Sequence, residues 1–404
     1  MTRIRRIAAW CGKRWPIALA LVLGVAIGLA VPLAMTLFRI GKTAATFQLR
    51  GDIPSSGPGL DNALYQSVGA RLAPGHSIEL LDNGSVFDAI TAEIAKAKRS
   101  VHIVMYIWED GVVSKRIVAA LVERAKAGVA CRIVIDAFGS SKFDEKLEPE
   151  LVAGGCEVRT FRPLPGVAPL ARNHRKLVIV DGATAITGGF GIRDNWLGDG
   201  ITGWRDSNVK VTGPSVRDVQ QAFAENWQEA GGSVLPAEEF PDLPATGTVR
   251  AAFVASGAAP VVTSAERLTQ LVIAAAKKRL WIANAYFAPS PAILDLLIRK
   301  RAAGVDVRLI VPGIKSDSKP ALAKQHQLYP KLREAGIRVW EYDPSMIHSK
   351  TMLADDELVV IGTINLDPLS LDKLEEAAVV IEDKAIAVEL AKDFEQDVTH
   401  ATAK

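Results

Sequence analysis

Short apolar runs alternate along the chain with stretches in which apolar residues recur every three or four positions. The apolar runs are typical of buried strands, and the periodic stretches are typical of helices. The resulting alternation predicts an α/β fold in which helices cover a largely parallel or mixed sheet. In the first part of the chain the predicted helices are 85–98, 112–127 and 144–153, and the predicted strands are 101–107, 131–136 and 157–161.

The same order of elements recurs further along the chain. Residues 276–287 repeat 95–108, residues 296–313 repeat 121–139, and residues 332–342 repeat 151–161. A period of this length exceeds that of solenoid repeats and indicates a duplicated domain. We therefore predict a first lobe at 76–230, a linker rich in Gly and Pro at 231–248, and a second lobe at 249–404.

The N-terminal pattern differs, because residues 16–38 contain no charged side chain. A helix of this length measures about 35 Å, enough to cross a bilayer. Basic residues are more frequent before this segment than after it, which favours a cytoplasmic N-terminus. The prediction is a membrane anchor at 1–40 and a tether at 41–75. A single pass through the cell inner membrane would then place the remainder outside the cytoplasm; the alternative is a cleaved signal peptide.

Charge and cysteine content narrow the function classes. The formal charge of +3 over 404 residues does not predict a basic nucleic-acid-binding surface, so no nucleic-acid partner is expected. The three cysteines, Cys11, Cys131 and Cys156, show no zinc spacing and no disulfide framework. Cys131 and Cys156 each lie near the start of a predicted strand. Two buried thiols are favoured, with a bridge as the alternative in an oxidising compartment.

Two stretches carry the candidate chemistry, NHRKLVIVDGATAITGGFG at 173–191 and IHSKTMLADDELVVIGTIN at 347–365. Each contains a histidine, a lysine two residues later and an aspartate five residues after the lysine, followed by a Gly-containing turn. Two copies at matched spacing are a far more specific signal than one. The matched residues are His174, Lys176 and Asp181 in the first copy and His348, Lys350 and Asp355 in the second.

The residue types in these stretches suit a phosphate ester. Alternate side chains of a strand share a face, so each histidine points the same way as its lysine. A lysine supplies a fixed positive charge for phosphate oxygens, and a histidine can act as a nucleophile or a proton donor. No carboxylate or thiol cluster indicates a metal, so we predict a phosphoryl site without metal or cofactor. The remaining histidines, His76, His102, His326 and His400, are interpreted as structural.

The two stretches resemble the H-x-K-x4-D-x6-G-[ST]-x-N signature of the phospholipase D superfamily, and the surrounding sequence resembles its bacterial cardiolipin synthase branch. The resemblance extends from about residue 80 to residue 398 and includes 106–108, 136–139, 204–206 and 365–376. It implies two α/β/α lobes related by a pseudo-twofold axis. The single active site would lie at their interface.

The resemblance also implies roles for individual residues. His174 would be the nucleophile that forms a phosphohistidine, and His348 the general acid and base. The phosphoryl oxygens would be held by Lys176, Lys350, Asn365 and the Gly189 turn. The lysine and histidine network would be fixed by Asp181 and Asp355, and supported by Asp206 and Glu376.

The chain departs from the family pattern at four positions. Gly191 replaces the asparagine of the first copy, and Gly189 replaces its Ser or Thr; Leu369 and Leu374 replace an arginine and an asparagine near the second. The expected function is a membrane-anchored phosphatidyltransferase with phospholipid substrates. The alternatives are hydrolysis of phospholipid, or less favourably of nucleic acid, by a phospholipase D-type phosphodiesterase, and a non-enzymatic lipid-binding protein with a degenerate first lobe.

Overall fold

The computed structural model describes residue 15 and residues 19–32, 47–164, 170–257 and 262–404. The chain divides into an N-terminal unit, Met1–Thr43, and a main unit, Ala44–Lys404. The N-terminal unit contains helix α1 over residues 19–32. No helix in the described ranges combines the length and apolarity needed to span a membrane. Residues 16–18 and 33–38 of the predicted anchor segment lie outside the described residues.

The main unit is built on one sheet of 15 strands. Most strands are short and apolar on both faces, as expected when helices cover the sheet. The strands of the first half are β1 (Ala73–Asp82), β2 (Ser100–Met105), β3 (Ala130–Asp136), β4 (Glu157–Phe161), β5 (Leu177–Val180), β6 (Thr184–Gly188) and β7 (Ser207–Thr212). Those of the second half are β8 (Val249–Ser256), β9 (Arg279–Asn284), β10 (Asp306–Pro312), β11 (Arg338–Tyr342), β12 (Lys350–Ala354), β13 (Leu358–Gly362), β14 (Glu376–Glu382) and β15 (Ala401–Ala403).

The order of strands repeats on the two sides of the sheet centre. From β1 outward the order is β7, β6, β5, β2, β3 and β4; from β8 outward it is β14, β13, β12, β9, β10 and β11. Strands β2, β3 and β4 are parallel, as are β9, β10 and β11. Strands β1 and β8 pair antiparallel and join the halves into one continuous sheet. The duplication predicted from the sequence is therefore present in the strand order.

Helices connect the parallel strands, because a parallel crossover needs a long connection. Several begin with a side-chain cap: Thr263, Ser290, Asp367 and Asp383 each accept a hydrogen bond from a backbone N–H of the first turn. The helices of the main unit are α2 (Gly57–Val68), α3 (Ser85–Lys96), α4 (Val112–Lys126), α5 (Phe143–Ala153), α6 (Val216–Glu229), α7 (Ser264–Ala275), α8 (Pro291–Ala302), α9 (Lys319–Glu334), α10 (Pro368–Asp372) and α11 (Lys384–Thr399).

The segment predicted as a tether is partly folded onto the second half. Helix α2 buries Leu60 and Leu64 in the apolar core that contains α7. The Gln270 side chain of α7 donates to the Phe47 carbonyl and accepts from the Leu49 amide. Residues 47–75 of the predicted tether are therefore folded, because apolar side chains at helical spacing lie among its Gly, Pro and Ser residues. Residues 41–46 lie outside the described residues.

The two core cysteines form a disulfide between Cys131 and Cys156. Cys131 is the second residue of β3, and Cys156 directly precedes β4. These parallel strands are hydrogen-bonded neighbours, which brings the two Cα atoms to 4.6 Å. The preferred prediction of two buried thiols is therefore replaced by its alternative, a bridge.

Candidate active site

The two histidines lie at corresponding places in the two halves. His174 lies three residues before β5 and His348 lies two residues before β12, and each of these strands pairs antiparallel with the first strand of a parallel set. The His174 amide donates to the Glu375 carbonyl at 2.8 Å, and the His348 amide donates to the Arg205 carbonyl at 2.6 Å. Each histidine backbone is thus held by a residue of the opposite half.

The His174 side chain is held by a carboxylate from the second half. Its Nδ1 atom lies 3.0 Å from both Glu376 carboxylate oxygens. Thr363 and Ser370 donate their hydroxyl groups to the same carboxylate. The Tyr106 ring packs edge-on against the imidazole, with 5.0 Å between centroids. This arrangement fixes the orientation of the imidazole and directs Nε2 away from Glu376.

His348 has the reciprocal arrangement with a carboxylate from the first half. Its Nδ1 atom lies 3.4 Å from an Asp206 carboxylate oxygen. That oxygen also accepts from the Trp196 indole N–H at 2.8 Å, and the other accepts from the Ser207 amide at 2.9 Å. Lys350 Nζ lies 2.7 Å from His348 Nδ1. The contact to the carboxylate is longer than at His174, so the two halves are similar but not equivalent.

Each lysine stays beside the histidine that precedes it. Lys176 Nζ donates to the His174 carbonyl at 2.7 Å, and Lys350 Nζ donates to the His348 carbonyl. Both ammonium groups are buried. The charge of Lys350 acts on Lys176 and on His174. The two histidine–lysine pairs therefore lie close enough for their charges to interact.

Corresponding positions supply a donor to each supporting carboxylate. Trp196 and Ser370 both lie 22 residues after their histidines, and each donates to the carboxylate that holds the opposite histidine. The roles of Trp196, Ser370 and Thr363 were not predicted, because the two copies were matched by residue identity. Matching hydrogen-bonding capacity at equal offsets would have paired Trp196 with Ser370.

The two glycine departures in the first copy have a steric cause. A Cβ atom on Gly189 would lie 2.3 Å from an Asp206 carboxylate oxygen, so this position cannot carry the hydroxyl side chain that Thr363 carries in the second copy. A Cβ on Gly191 would lie 3.2 Å from the Trp196 ring. The indole therefore occupies the space beside Gly191 and supplies the N–H donor to Asp206. The predicted role of Gly189 in holding phosphate remains a prediction.

Asn365, the predicted second-copy phosphate ligand, is buried. Its backbone N–H donates to Ser370 Oγ at 2.9 Å. Its side-chain Oδ1 has no hydrogen-bond partner within the described part of the chain. A buried amide with an unpaired atom is costly without a ligand or water.

The motif aspartates do not contact the histidines or lysines. The Asp181 carboxylate accepts from the backbone N–H groups of residues 98–100, and Asp355 accepts from those of 277–279. Both adopt a left-handed backbone, with φ of 54° and 53°, in the hairpin turn after the motif strand. A strand rises about 3.3 Å per residue, which carries Asp181 roughly 20 Å from His174. The prediction that these aspartates fix the lysine and histidine network is therefore wrong.

Burial controls the charges of the site. It lowers the pKa of His174 to about 4, against the opposing effect of the Glu376 carboxylate. It also lowers the pKa of His348 well below its usual value, and the neighbouring Lys350 charge adds to this effect. Burial lowers the pKa of Lys176 to about 7 and that of Lys350 to about 8, and it raises the pKa of Asp206 to about 6. In the absence of an anion, both imidazoles are therefore neutral, and both lysines lose their protons more readily than a lysine in water.

Comparison with known proteins assigns the family. The family described as "Cardiolipin synthase, PLD-like domain" matches residues 90–227 and 271–398. Cardiolipin synthase 1 of Bacillus cereus is 32% identical over 363 residues, which cover 85% of this chain and 70% of that protein. Cardiolipin synthase of Geobacillus kaustophilus is 32% identical over 333 residues, which cover 80% of this chain and 66% of that protein.

A solved structure shares the fold at low sequence identity. The crystal structure of phosphatidylserine synthase from Haemophilus influenzae superposes with a TM-score of 0.65 at 15% identity, covering 85% of this chain and 92% of that one. The family match includes both histidine–lysine pairs and both supporting carboxylates. The chain therefore belongs to the cardiolipin synthase family of phospholipase D-like enzymes.

Proposed function

We propose that this enzyme is a membrane-anchored phosphatidyltransferase of the cardiolipin synthase type. It transfers a phosphatidyl group from one phospholipid to the alcohol of another through a phosphohistidine. The observation that carries the proposal is the reciprocal pairing at one site, in which His174 is held by Glu376 and His348 is paired with Asp206. Two oriented imidazoles beside two lysines provide a nucleophile, an acid and a charged cradle for phosphate.

In the first step, neutral His174 attacks the phosphorus of the donor lipid through Nε2. The bond between phosphorus and the leaving alcohol oxygen breaks, and His348 gives that oxygen its proton. Burial keeps His174 unprotonated in the empty enzyme, with a pKa of about 4, which is the form a nucleophile requires. Glu376 then stabilises the positive charge that develops on His174 as the bond between nitrogen and phosphorus forms.

His348 must be protonated in the substrate complex to act as the acid. Burial, together with the Lys350 and Lys176 charges, lowers the pKa of His348 in the empty site. A bound phosphodiester anion offsets those charges, so that His348 takes up a proton as the substrate binds. In the second step, neutral His348 removes the proton of the incoming alcohol, whose oxygen attacks phosphorus. The bond to His174 then breaks, and both histidines return to their starting forms.

Lys176, Lys350 and Asn365 hold the phosphoryl oxygens in this scheme. The lysines have depressed pKa values because they are buried, and an anion between them would restore their full charge. Asn365 would hold a phosphoryl oxygen through its Nδ2 hydrogens, since its Oδ1, which has no partner within the described residues, can only accept a hydrogen bond. These groups stabilise the charge that spreads over the phosphoryl oxygens in the transition state.

Burial of the site favours transfer over hydrolysis. His174 is 6% exposed and His348 is 4% exposed. The rings of Trp196, Trp204 and Tyr286 surround His348, with centroids 5.0, 5.3 and 6.0 Å away. A site that excludes water protects a phosphohistidine until a lipid alcohol reaches it. Phospholipid hydrolysis is the competing outcome of the same chemistry.

The membrane anchor and its orientation belong to the proposal. The uncharged segment 16–38 and the basic residues before it support an anchor with a cytoplasmic N-terminus. The disulfide between Cys131 and Cys156 supports a catalytic part outside the cytoplasm, since such bonds persist in oxidising compartments. Reporter fusions after residue 45 should be active only outside the cytoplasm; activity confined to the cytoplasm would reverse this topology.

The proposal is tested by incubating the purified full chain with phosphatidylglycerol vesicles and resolving the products by mass spectrometry. We expect cardiolipin and glycerol; phosphatidic acid alone would establish hydrolysis instead. His174→Ala should abolish turnover and the acid-labile phosphoenzyme. His400→Ala is the matched control, because His400 is an exposed helix-terminal residue. Full activity of His174→Ala would refute the assignment of the nucleophile.

A further inference from the structure

The two halves differ at the end of the middle strand of each parallel set, β3 in the first half and β10 in the second. In the first half, β3 ends at Asp136, whose carboxylate is buried and accepts from the amides of Asn173, Phe138 and Gly139. In the second half, β10 ends instead at Pro312. Backbone amides of the first half therefore already occupy the Asp136 carboxylate, which leaves it unavailable to a ligand.

The second half provides a different carboxylate, in the loop between β10 and α9. The Tyr286 hydroxyl donates to both oxygens of Asp317, at 2.8 and 3.0 Å. Asp317 is exposed to solvent, whereas Tyr286 is partly buried. The Tyr286 ring stands edge-on to the His348 imidazole. The pair thus extends from the surface to the histidine that we assign as acid and base.

The charge of Asp317 also reaches the phosphate-binding side of the site, because it acts on Lys350. A second carboxylate, Asp367, acts on the same lysine and on Tyr286. One Asp367 oxygen is already occupied as the cap of α10, where it accepts from the Leu369 and Ser370 amides. Within the described residues, Asp317 accepts only the phenolic hydrogen, so it retains lone pairs for a ligand.

The chemistry of this pair selects one class of alcohol. With its hydrogen given to Asp317, the Tyr286 hydroxyl offers an acceptor lone pair, so the two groups together accept but do not donate. A negatively charged group would be repelled by Asp317. An ammonium group would be attracted by Asp317 but repelled by Lys350, whereas neutral hydroxyl donors bind the carboxylate without that repulsion. A neutral headgroup with two hydroxyl donors fits both conditions.

We propose that Asp317 and Tyr286 form the alcohol subsite of the enzyme and select a neutral polyol headgroup of the glycerol type. The proposal rests on the proposed function, because His348 is the group that exchanges protons with the alcohol. The subsite holds one hydroxyl of the headgroup through hydrogen bonds to the Asp317 carboxylate and the Tyr286 oxygen. The second hydroxyl of the headgroup then faces His348.

The test separates binding from turnover by using soluble phosphodiesters with the full chain. Glycerophosphoglycerol and dipropyl phosphate carry the same charge but differ in hydroxyl groups. Their binding is followed through tryptophan fluorescence, because Trp196 and Trp204 pack against His348. A hydrogen bond to a charged group predicts that wild type prefers the polyol diester by about tenfold.

Asp317→Asn and Tyr286→Phe should each reduce this preference, measured in each variant as the ratio of the two affinities, to about twofold or less. The matched control is Asp295→Asn, an exposed carboxylate on α8 that pairs with Arg299; it should keep the wild-type preference. Equal binding of both diesters by wild type, or no binding of either, overturns the subsite. An unchanged preference in Asp317→Asn also overturns it.

An aminoethyl propyl phosphodiester distinguishes the polyol from a cationic headgroup. If wild type binds this diester more tightly than glycerophosphoglycerol, and Asp317→Asn removes that advantage, the choice of a polyol is wrong. Turnover of phosphatidylglycerol vesicles is measured on the same preparations. A polyol preference without lipid products would overturn the proposed function and leave the subsite standing. Lipid products without a polyol preference would overturn the subsite and leave the proposed function standing.

Discussion

The carboxylate of Glu376 holds the imidazole of His174. Glu376→Gln tests this role, because glutamine has nearly the same shape as glutamate but carries no charge. Three donors converge on this carboxylate: the His174 Nδ1–H and the hydroxyls of Thr363 and Ser370. An amide has only one oxygen, and its nitrogen cannot accept. At least one of the three hydrogens therefore loses its acceptor after the substitution.

The expected cost follows from these contacts. A buried donor left unsatisfied costs about 1–3 kcal/mol, and a hydrogen bond to a charged group contributes about 1.5–3 kcal/mol. The second contribution grows as His174 becomes positively charged during phosphoenzyme formation. Together these effects are expected to raise the barrier by about 3–4 kcal/mol. Phosphoenzyme formation should then slow by roughly two to three orders of magnitude.

Rapid-quench measurement of the phosphatidyl-enzyme in a single turnover is the assay. Glu376→Gln should slow this burst without loss of secondary structure. Its pH profile gives an independent signature. Because the Glu376 charge raises the pKa of His174, removing it should move the acid limb of kcat/KM to lower pH. Both changes are expected only if Glu376 acts through the imidazole.

Glu382→Gln is the matched control, since it makes the same substitution at the opposite end of β14. Glu382 pairs with Arg250 and accepts from the Gly57 amide, remote from both histidines. This variant should lose some thermal stability but keep the wild-type burst. A burst rate in Glu376→Gln within threefold of wild type, with an unmoved pH profile, would refute the role of Glu376.

Four further results are expected. Asp181→Asn should lower the free energy of unfolding by about 2 kcal/mol while turnover per folded molecule is retained, because within the described ranges the Asp181 carboxylate accepts only from backbone N–H groups and the Arg99 side chain binds its carbonyl; denaturant titration and kcat check both. Lys176→Met should abolish turnover and raise Tm, since burial disfavours this ammonium group. The KM for lipid should rise as pH increases through the lysine pKa values of about 7 and about 8, because the deprotonated lysines no longer attract phosphate. Reduction of the Cys131–Cys156 bridge, with a sequence separation of 25, should lower stability by about 3.5 kcal/mol in calorimetry.

The sequence was sufficient to select the histidines and lysines that the structure places at one site, while their chemical roles remain predictions. His174, Lys176, His348 and Lys350 could be identified because their spacing is duplicated, and a strand places each histidine and lysine on one face. The strand order was also predictable in outline, since each repeat carries its own alternation of apolar runs and helices. These predictions concern local spacing, which the chain fixes directly.

Predictions failed where one sequence spacing is compatible with more than one local structure. Asp181 belongs to the motif, yet an aspartate after a short strand can equally cap a hairpin turn, and it does so here. Trp196 and Ser370 perform one task with different side chains, so comparison of identities could not pair them. Helix α2 was not predicted, because the Gly and Pro residues at its start are typical of a loop. Its stability comes from burial of Leu60 and Leu64.

The exchange of carboxylates between the halves has a consequence for how the site is maintained. His174 is oriented by Glu376 at the start of β14, and His348 is paired with Asp206, directly before β7. Strands β7 and β14 flank the central β1–β8 pair. Neither half therefore contains a complete histidine site, and the geometry of both sites depends on the continuity of the sheet across its centre. A change that loosens the pairing of β1 with β8 should impair both histidines together, whereas a change within one motif should impair one catalytic role.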